Sequence, residues 1–254
     1  MTDDTQRLSS AVRIGCAGWT IPPHSVRLFG DGESHLARYA TRFDVVEINS
    51  SFHRPHRLDT YQRWADSVPP GFRFAVKLPR QISHGAHLVG VDAALARFLD
   101  EVAGLGPKLG GILIQLPPSL TLDMHVAEAF FSVLRARCDA PLACEPRHAS
   151  WFQPHAAALW EAYSITRVAA DPARLPEAAH PAGAAAARWR YWRLHGSPRM
   201  YYSRYEDPAL QKLATQLLQH GTPDSPAWCI FDNTAAGHAV EDAARLQKLV
   251  AQDV

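Results

Sequence analysis

Nowhere in this 254-residue chain does an apolar run approach the roughly 18 residues that a membrane-spanning helix requires. Net charge is lacking too. The 26 basic and 25 acidic side chains leave +1, so no global field draws the chain to nucleic acid or to a membrane surface. The opening MTDDTQRLSS is acidic and has no apolar core, so a secretory leader is not expected. Cysteine is scarce. Cys16, Cys138, Cys144 and Cys229 show no CxxC spacing, and three of the four lie in apolar strand-like runs. That pattern points to buried free thiols in a cytoplasmic protein rather than to a disulfide framework or a zinc ribbon. No HExxH or comparable ligand spacing joins the histidines. Several of them (His24, His56, His84, His87, His155) fall in loop-like segments and are expected at the surface.

What the chain does have is a recurring unit: a short apolar run, a polar loop, then a helix-length amphipathic segment. The runs lie near residues 13–17, 44–49, 72–78, 111–116, 141–145, 166–171, 190–195 and 227–232. They recur at intervals near the roughly 30 residues of a βα unit. Helical periodicity fills most gaps, for instance Leu36, Tyr39 and Phe43, or Val240, Ala243, Leu246 and Val250. Strands alternating with helices imply a parallel sheet, and eight of them imply closure. The expectation is an α/β fold: one (β/α)8 barrel of the TIM type forming a single domain over 1–254. Residues 171–188, rich in Ala and Pro, resist the pattern and read as a degenerate sixth crossover, largely loop.

In such a barrel every second strand residue points inward, and the C-terminal strand ends carry the active site. Alternation turns Glu47 and Asn49 of the second strand inward, with Lys77 of the third and Gln115 of the fourth. It does the same for Glu145 and Arg147 of the fifth, Asp171 of the sixth, and Arg193 and His195 of the seventh. In the eighth strand the phase leaves Asp232 and Asn233 both open. A protein with no use for so many polar strand ends would place Val, Ile and Leu there, because buried unpaired charge costs several kcal/mol per ion. Carboxylates here are mixed with Lys77, Arg147 and Arg193, whereas a di-metal site concentrates His, Asp and Glu. The mixture suits a small polar ligand with an anionic group. The stretch 188–204 interleaves five arginines with Trp189, Tyr191, Trp192, Tyr201 and Tyr202. It reads first as a strand followed by a lid over the pocket, with nucleic-acid stacking as the competing reading.

Several blocks together resemble the YecE-like family, a group labelled a domain of unknown function. They are Gly15-Cys-Ala-Gly-Trp19, Val46-Glu-Ile-Asn-Ser-Ser-Phe52, Phe74-Ala-Val-Lys77 with Ile82-Ser-His84, and Gln115-Leu-Pro-Pro118. Then come Glu145-Pro-Arg-His-Ala-Ser-Trp151, Arg193-Leu-His-Gly196 and Phe231-Asp-Asn-Thr234. The resemblance implies a TIM-type barrel and no established reaction. It places His84, His148, Trp151 and Asn233 in the family's blocks beside the strand-end residues above. Two positions depart from the family's pattern: His53, where Tyr is usual, and Asp232, where Asn is common.

The reading taken forward is an enzyme, of hydrolase or isomerase type, acting on a small polar, anionic or sugar-like substrate without a cofactor or metal. Glu47, Glu145 and His195 would carry acid–base chemistry. Asn49, Lys77, Gln115, Arg147, His148, Asp171, Arg193 and Asn233 would bind substrate. Two alternatives stand beside it: a metal-dependent phosphoesterase acting on nucleic acid, and a non-catalytic small-ligand sensor.

Overall fold

The computed structural model describes residues 11–187 and 189–252. Residues 1–10, read above as lacking a leader, and Arg188 of the arginine-rich stretch lie outside the described residues.

Ten strands form one sheet: β1 (Val12–Ala17), β2 (Val45–Ile48), β3 (Arg73–Lys77), β4 (Leu109–Gln115), β5 (Leu142–Glu145), β6 (Ile165–Arg167), β7 (Ala169–Asp171), β8 (Ala182–Gly183), β9 (Arg190–Leu194) and β10 (Ala227–Phe231). Their spatial order is β7-β9-β10-β1-β2-β3-β4-β5-β6-β8. Every pairing is parallel except the short β6–β8 pair, which is antiparallel. The expected sixth strand is split. β6 pairs with β5 and β7 pairs with β9, and only Val168 separates the two halves in the chain. The sheet therefore curls round on itself into a nearly closed barrel shape, with an α/β arrangement of helices outside.

Those helices are α1 (His35–Tyr39), α2 (Ser50–His53), α3 (Leu58–Asp66), α4 (Asp92–Val102), α5 (Met124–Arg137), α6 (Pro154–Ala162), α7 (Asp207–His220) and α8 (His238–Gln252). Local chemistry sets some of their starts. The Ser34 hydroxyl accepts from the Ala37 N–H at 3.0 Å ahead of α1, and Asp123 accepts from the Val126 N–H at 3.2 Å ahead of α5. Such caps satisfy N–H groups that the first helical turn leaves free. Between β7 and β9 the described residues hold a 3-10 turn (Pro176–Ala179) and β8, and no α-helix. The prolines there supply no N–H for a helical ladder.

Two apolar layers result. The larger lies between sheet and helices. The smaller fills the lower barrel with Val45, Ala75, Leu113, Ala143, Val168, Trp189, Tyr191, Trp228 and Ile230. Trp189 and Trp228 plug this end, their rings 4.9 Å apart and edge to face. They fit only because β4 opens with glycines. A Cβ on Gly110 would lie 2.3 Å from the Trp228 ring, and one on Gly111 would lie 2.5 Å from Trp189 and 2.6 Å from the Pro141 carbonyl. Neither a rigid indole nor backbone can yield cheaply. Gly111→Ala should therefore lower unfolding free energy by about 1–3 kcal/mol, read as a shifted urea midpoint. An unchanged midpoint would show that the tryptophan plug is loosely packed.

Candidate functional site

Above the apolar layer the barrel interior turns ionic, and strand phase decides who takes part. Glu47 on β2, Lys77 on β3, Gln115 on β4 and Glu145 on β5 all project inward, with Arg193 on β9 and His195 just beyond it. All six are buried. Trp228 and Ile230 belong to the inner layer, so the same alternation brings Asp232 inside and turns Asn233 away.

Arg193 is the hub and is 0% exposed. Its Nε donates to Glu47 Oε2 at 3.0 Å and its Nη2 to Glu47 Oε1 at 2.7 Å, a two-pronged grip. Nη1 donates to Glu145 Oε2 at 2.6 Å, and Nη2 also reaches Asp232 Oδ2 at 3.0 Å. One guanidinium thus ties three carboxylates carried by three different strands or strand ends. The Tyr191 hydroxyl donates to Glu47 Oε2 at 2.8 Å from below.

The second oxygen of Glu145 is shared outward. Oε1 accepts from Gln115 Nε2 at 3.0 Å and from Arg147 Nε at 3.0 Å and Nη2 at 2.9 Å. Gln115 and Glu145 are register partners, which explains their meeting. His195 completes the ring, with Nδ1 3.0 Å from Asp232 Oδ2 and Nε2 3.4 Å from Glu145 Oε1. Gly196 follows at φ +92°, and its N–H donates to the Tyr205 hydroxyl at 2.9 Å. A Cβ there would lie 2.8 Å from the Ser203 carbonyl. The glycine lets the chain turn sharply after His195, so that Met200 returns to the cleft and the Tyr201 ring sits 5.8 Å from the imidazole.

Electrostatics follow from this packing. Burial alone would raise Glu145 and Asp232. Arg193 outweighs it, helped by His195 at both and by Arg147 at Glu145, and Glu145 is held well below the usual carboxylate range. Burial would lower His195, but Glu145 and its bond to Asp232 raise it above the ordinary imidazole value. Lys77 differs. Burial first, then Arg193, lowers it to about 8. No ion pair holds it among the described residues, and its ammonium lies 4.2 Å from the centre of the Phe52 ring. His84 stands edge-on to the same ring and is lowered to about 4 by burial and by Lys77, Arg80, Arg147 and His87.

One side of the network borders a small cleft. Glu145, Arg147 and His195 line it together with Ala170, Leu175 and Met200. Its cavity volume is about 20 Å³, room for about one water molecule. Larger grooves of about 340 and about 250 Å³ lie elsewhere, around Trp160 and around Leu95. Neither brings more than two charged side chains together.

Several expected site residues are placed otherwise. Glu47 is 0% exposed beneath Arg193, so it can brace the guanidinium and has no surface for a ligand. Arg193 itself is committed to carboxylates. Asp171 is exposed, and its Oδ1 accepts from the Tyr205 hydroxyl at 2.9 Å, away from the cluster. Val168 and Ala170 are the inward residues of that split strand, so its phase is one residue from the expected one. Asn233 donates to Asp242 at 2.8 Å and to the Ser203 carbonyl at 3.0 Å, tying β10 to α8. His148 accepts from the Ser150 N–H at 3.2 Å and caps the turn Ala149–Phe152. Asn49 is peripheral, its Nδ2 3.4 Å from Asp232 Oδ1. Sequence reasoning left Asp232 open and gave Tyr191 and Phe52 no role. The packing of Trp228 and Ile230 inside the barrel decides the first. The arginine-rich stretch does not form one face: Trp189, Tyr191, Trp192 and Arg193 are buried, while Arg199 and Arg204 are exposed. Among the described residues no three His, Cys, Asp or Glu side chains are grouped to hold a metal ion. Cys16, Cys144 and Cys229 are buried free thiols, and burial pushes Cys16 up to about 12. No described helix is long and apolar enough to cross a membrane.

Comparison with known proteins places this architecture. The family model described as "Protein of unknown function DUF72" matches residues 13–254. The chain belongs to the DUF72 family. Among curated proteins, YecE of Escherichia coli is 34% identical over 106 residues, covering 42% of this chain and 38% of YecE. YunF of Bacillus subtilis is 25% identical over 154 residues, 56% of this chain and 53% of YunF. These alignments span about two fifths to one half of those relatives. Two DUF72 crystal structures share the fold almost end to end. A protein from Enterococcus faecalis superposes with TM-score 0.77 at 21% identity, covering 94% of this chain and 95% of its own. One from Thermotoga maritima gives 0.75 at 20%, with 95% and 99% covered.

Because Arg193 neutralises carboxylates that burial would otherwise expel, Arg193→Met should cost about 3–5 kcal/mol of stability, measured by urea unfolding. The pH sign follows from the lowered Glu145 and Asp232. Their contribution is present above the ordinary values of 4.5 and 3.8 and is lost as pH falls below them. His195, being raised, contributes fully below 6.5 and loses its contribution as pH rises through its higher folded value. Glu145→Gln should therefore flatten the fall in urea midpoint between pH 5 and pH 3. A fall as steep as the wild type's would place the acid sensitivity elsewhere.

Proposed function

We propose that this DUF72 protein is an enzyme acting on a small polar, anionic or sugar-like substrate by metal-independent acid–base chemistry at the C-terminal mouth of a (β/α)8 barrel. The barrel reading rests on β6 and β7, which a single residue separates and which together complete an eighth strand position. The observation that carries the functional reading is that three members of the ion network share one small cleft. Of all its members, Glu145, Arg147 and His195 together line the cleft.

In this reading His195 moves the proton. It lies between Glu145 and Asp232, which favour the imidazolium and return it to the same orientation after each transfer. Glu145 stays ionised and aligns it. Arg147 supplies positive charge for an anionic group, and Gln115 fixes the orientation of Glu145. The substrate enters by displacing the loop that carries Met200, since the closed cleft holds about one water. Arg193 already occupies the cation position among the carboxylates, which supports chemistry without a metal. The unpaired buried thiols favour a reducing, cytoplasmic setting.

The test is a turnover screen over phosphorylated sugars and hydroxy acids, followed by His195→Gln on any active substrate. The variant should lose about 10²–10⁴-fold in kcat with unchanged circular dichroism. The wild-type kcat/KM profile should break above pH 6.5, the side to which His195 is shifted. A fully active His195→Gln enzyme would end the proposal.

A further inference from the structure

The chain contains four lysines, Lys77, Lys108, Lys212 and Lys248. Lys212 and Lys248 lie exposed on α7 and α8. Lys108 donates to the Ala65 and Val68 carbonyls at 2.5 and 2.6 Å on the outside of the sheet. Lys77 alone is inside the barrel. It is 7% exposed at the end of β3.

Its surroundings are unusual for an ammonium ion. Buried lysines are ordinarily paired with carboxylates. Here three carboxylates stand in the same chamber, and none lies within ion-pair distance of Lys77, because Arg193, Arg147 and His195 have taken them. Beneath Nζ is the face of Phe52, with the His84 ring on the edge of that aromatic. A buried amine resting on an aromatic ring beside a fixed guanidinium, with no carboxylate in ion-pair contact, is an arrangement that favours a neutral, nucleophilic nitrogen.

We propose that Lys77 is a covalent amine nucleophile that captures a small carbonyl compound as an imine at the barrel mouth. The Nζ lone pair adds to the carbonyl carbon. The resulting carbinolamine loses its oxygen with two protons as water, so that amine plus carbonyl gives imine plus one water with no oxidant or reductant. Protonation of the imine restores the positive charge at the same place. The ligand class is therefore a carbonyl compound that also carries a carboxylate or phosphate. That last point rests on the anionic-substrate reading above, whereas capture by Lys77 does not.

The groups facing Nζ set its behaviour. Burial and Arg193 disfavour the ammonium, Glu47, Glu145 and Asp232 partly restore it, and the balance lies at about 8. An ordinary lysine titrates near about 10.4, so Lys77 has far more neutral amine at neutral pH.

The experiment is borohydride trapping of the full-length protein with glyoxylate and, separately, with uncharged propanal, followed by peptide mapping. Borohydride reduces the imine to a stable secondary amine and marks the lysine that formed it. Lys77 should be modified at least about tenfold faster than Lys212 or Lys248 at pH 7.5, with a rate midpoint near pH 8. Lys77→Arg and Lys77→Met should both lose the fast adduct. Fast labelling of Lys77 by glyoxylate alone upholds the whole proposal. Equal labelling by propanal upholds the imine and removes the anionic part. Labelling spread evenly over the four lysines, or absent from Lys77, overturns it, whatever the outcome for His195.

Discussion

A single guanidinium in the centre of a barrel-shaped sheet is the constraint on which the rest of this structure turns. Arg193 leaves β9 and meets Glu47 from β2, Glu145 from β5 and Asp232 after β10. In the sheet order β2 and β5 are separated from β9 by intervening strands, while β10 is its neighbour. The bonds to Glu47 and Glu145 therefore act as spokes, and the bond to Asp232 ties adjacent strand ends. Each carboxylate on its own would be too costly to bury, and so would the arginine. Together, with Arg147 and the imidazolium of His195, their charges balance, and the geometry of the fork fixes where each strand end must stand. The stability of the upper barrel and the layout of its mouth therefore depend on the same contacts.

The brace also sorts the polar residues by task. Those that face Arg193 with their full charge, Glu47 above all, are sealed and positional. Those that share an oxygen or a ring nitrogen outward, Glu145 and His195, reach the cleft. Lys77 is left over. With every carboxylate already committed, its amine rests on an aromatic ring instead of an acid. An unpaired cation in a chamber of paired ones is hard to account for as structure alone, since a leucine would pack there without the cost of desolvation. Kinship with other DUF72 proteins extends to the whole fold, and at 20–21% identity it carries no chemistry. The chemistry has to come from these side chains.

Much of the frame was legible from the sequence, and so was the cluster that gathers at its centre. Period-two alternation with recurring helix-length spacers located the strands, because a strand buried on two faces must be apolar on both except at its ends. The same alternation turned Glu47, Lys77, Gln115, Glu145, Arg193 and His195 inward. It misled at Asp171, since the break at Val168 changes the phase of a strand with too few residues to reveal it. It could not choose between Asp232 and Asn233 until Trp228 and Ile230 were seen packed inside.

Sequence by itself thus determined the family, the alternation of strand and helix, and the inward phase of β2, β3, β4, β5 and β9, though not of the split strand or of β10. These are properties of local pattern, and local pattern survives without coordinates. Tertiary structure decided which of those side chains touch. It paired Arg193 with three carboxylates at once, set Glu47 beneath it, placed Glu145 and His195 beside the cleft, gave His148 and Asn233 to the scaffold, and withheld a carboxylate partner from Lys77. Whether a charge is paired, sealed or exposed depends on distances across the barrel between residues far apart in the chain. The curvature of the closed sheet sets those distances, and no periodicity records it.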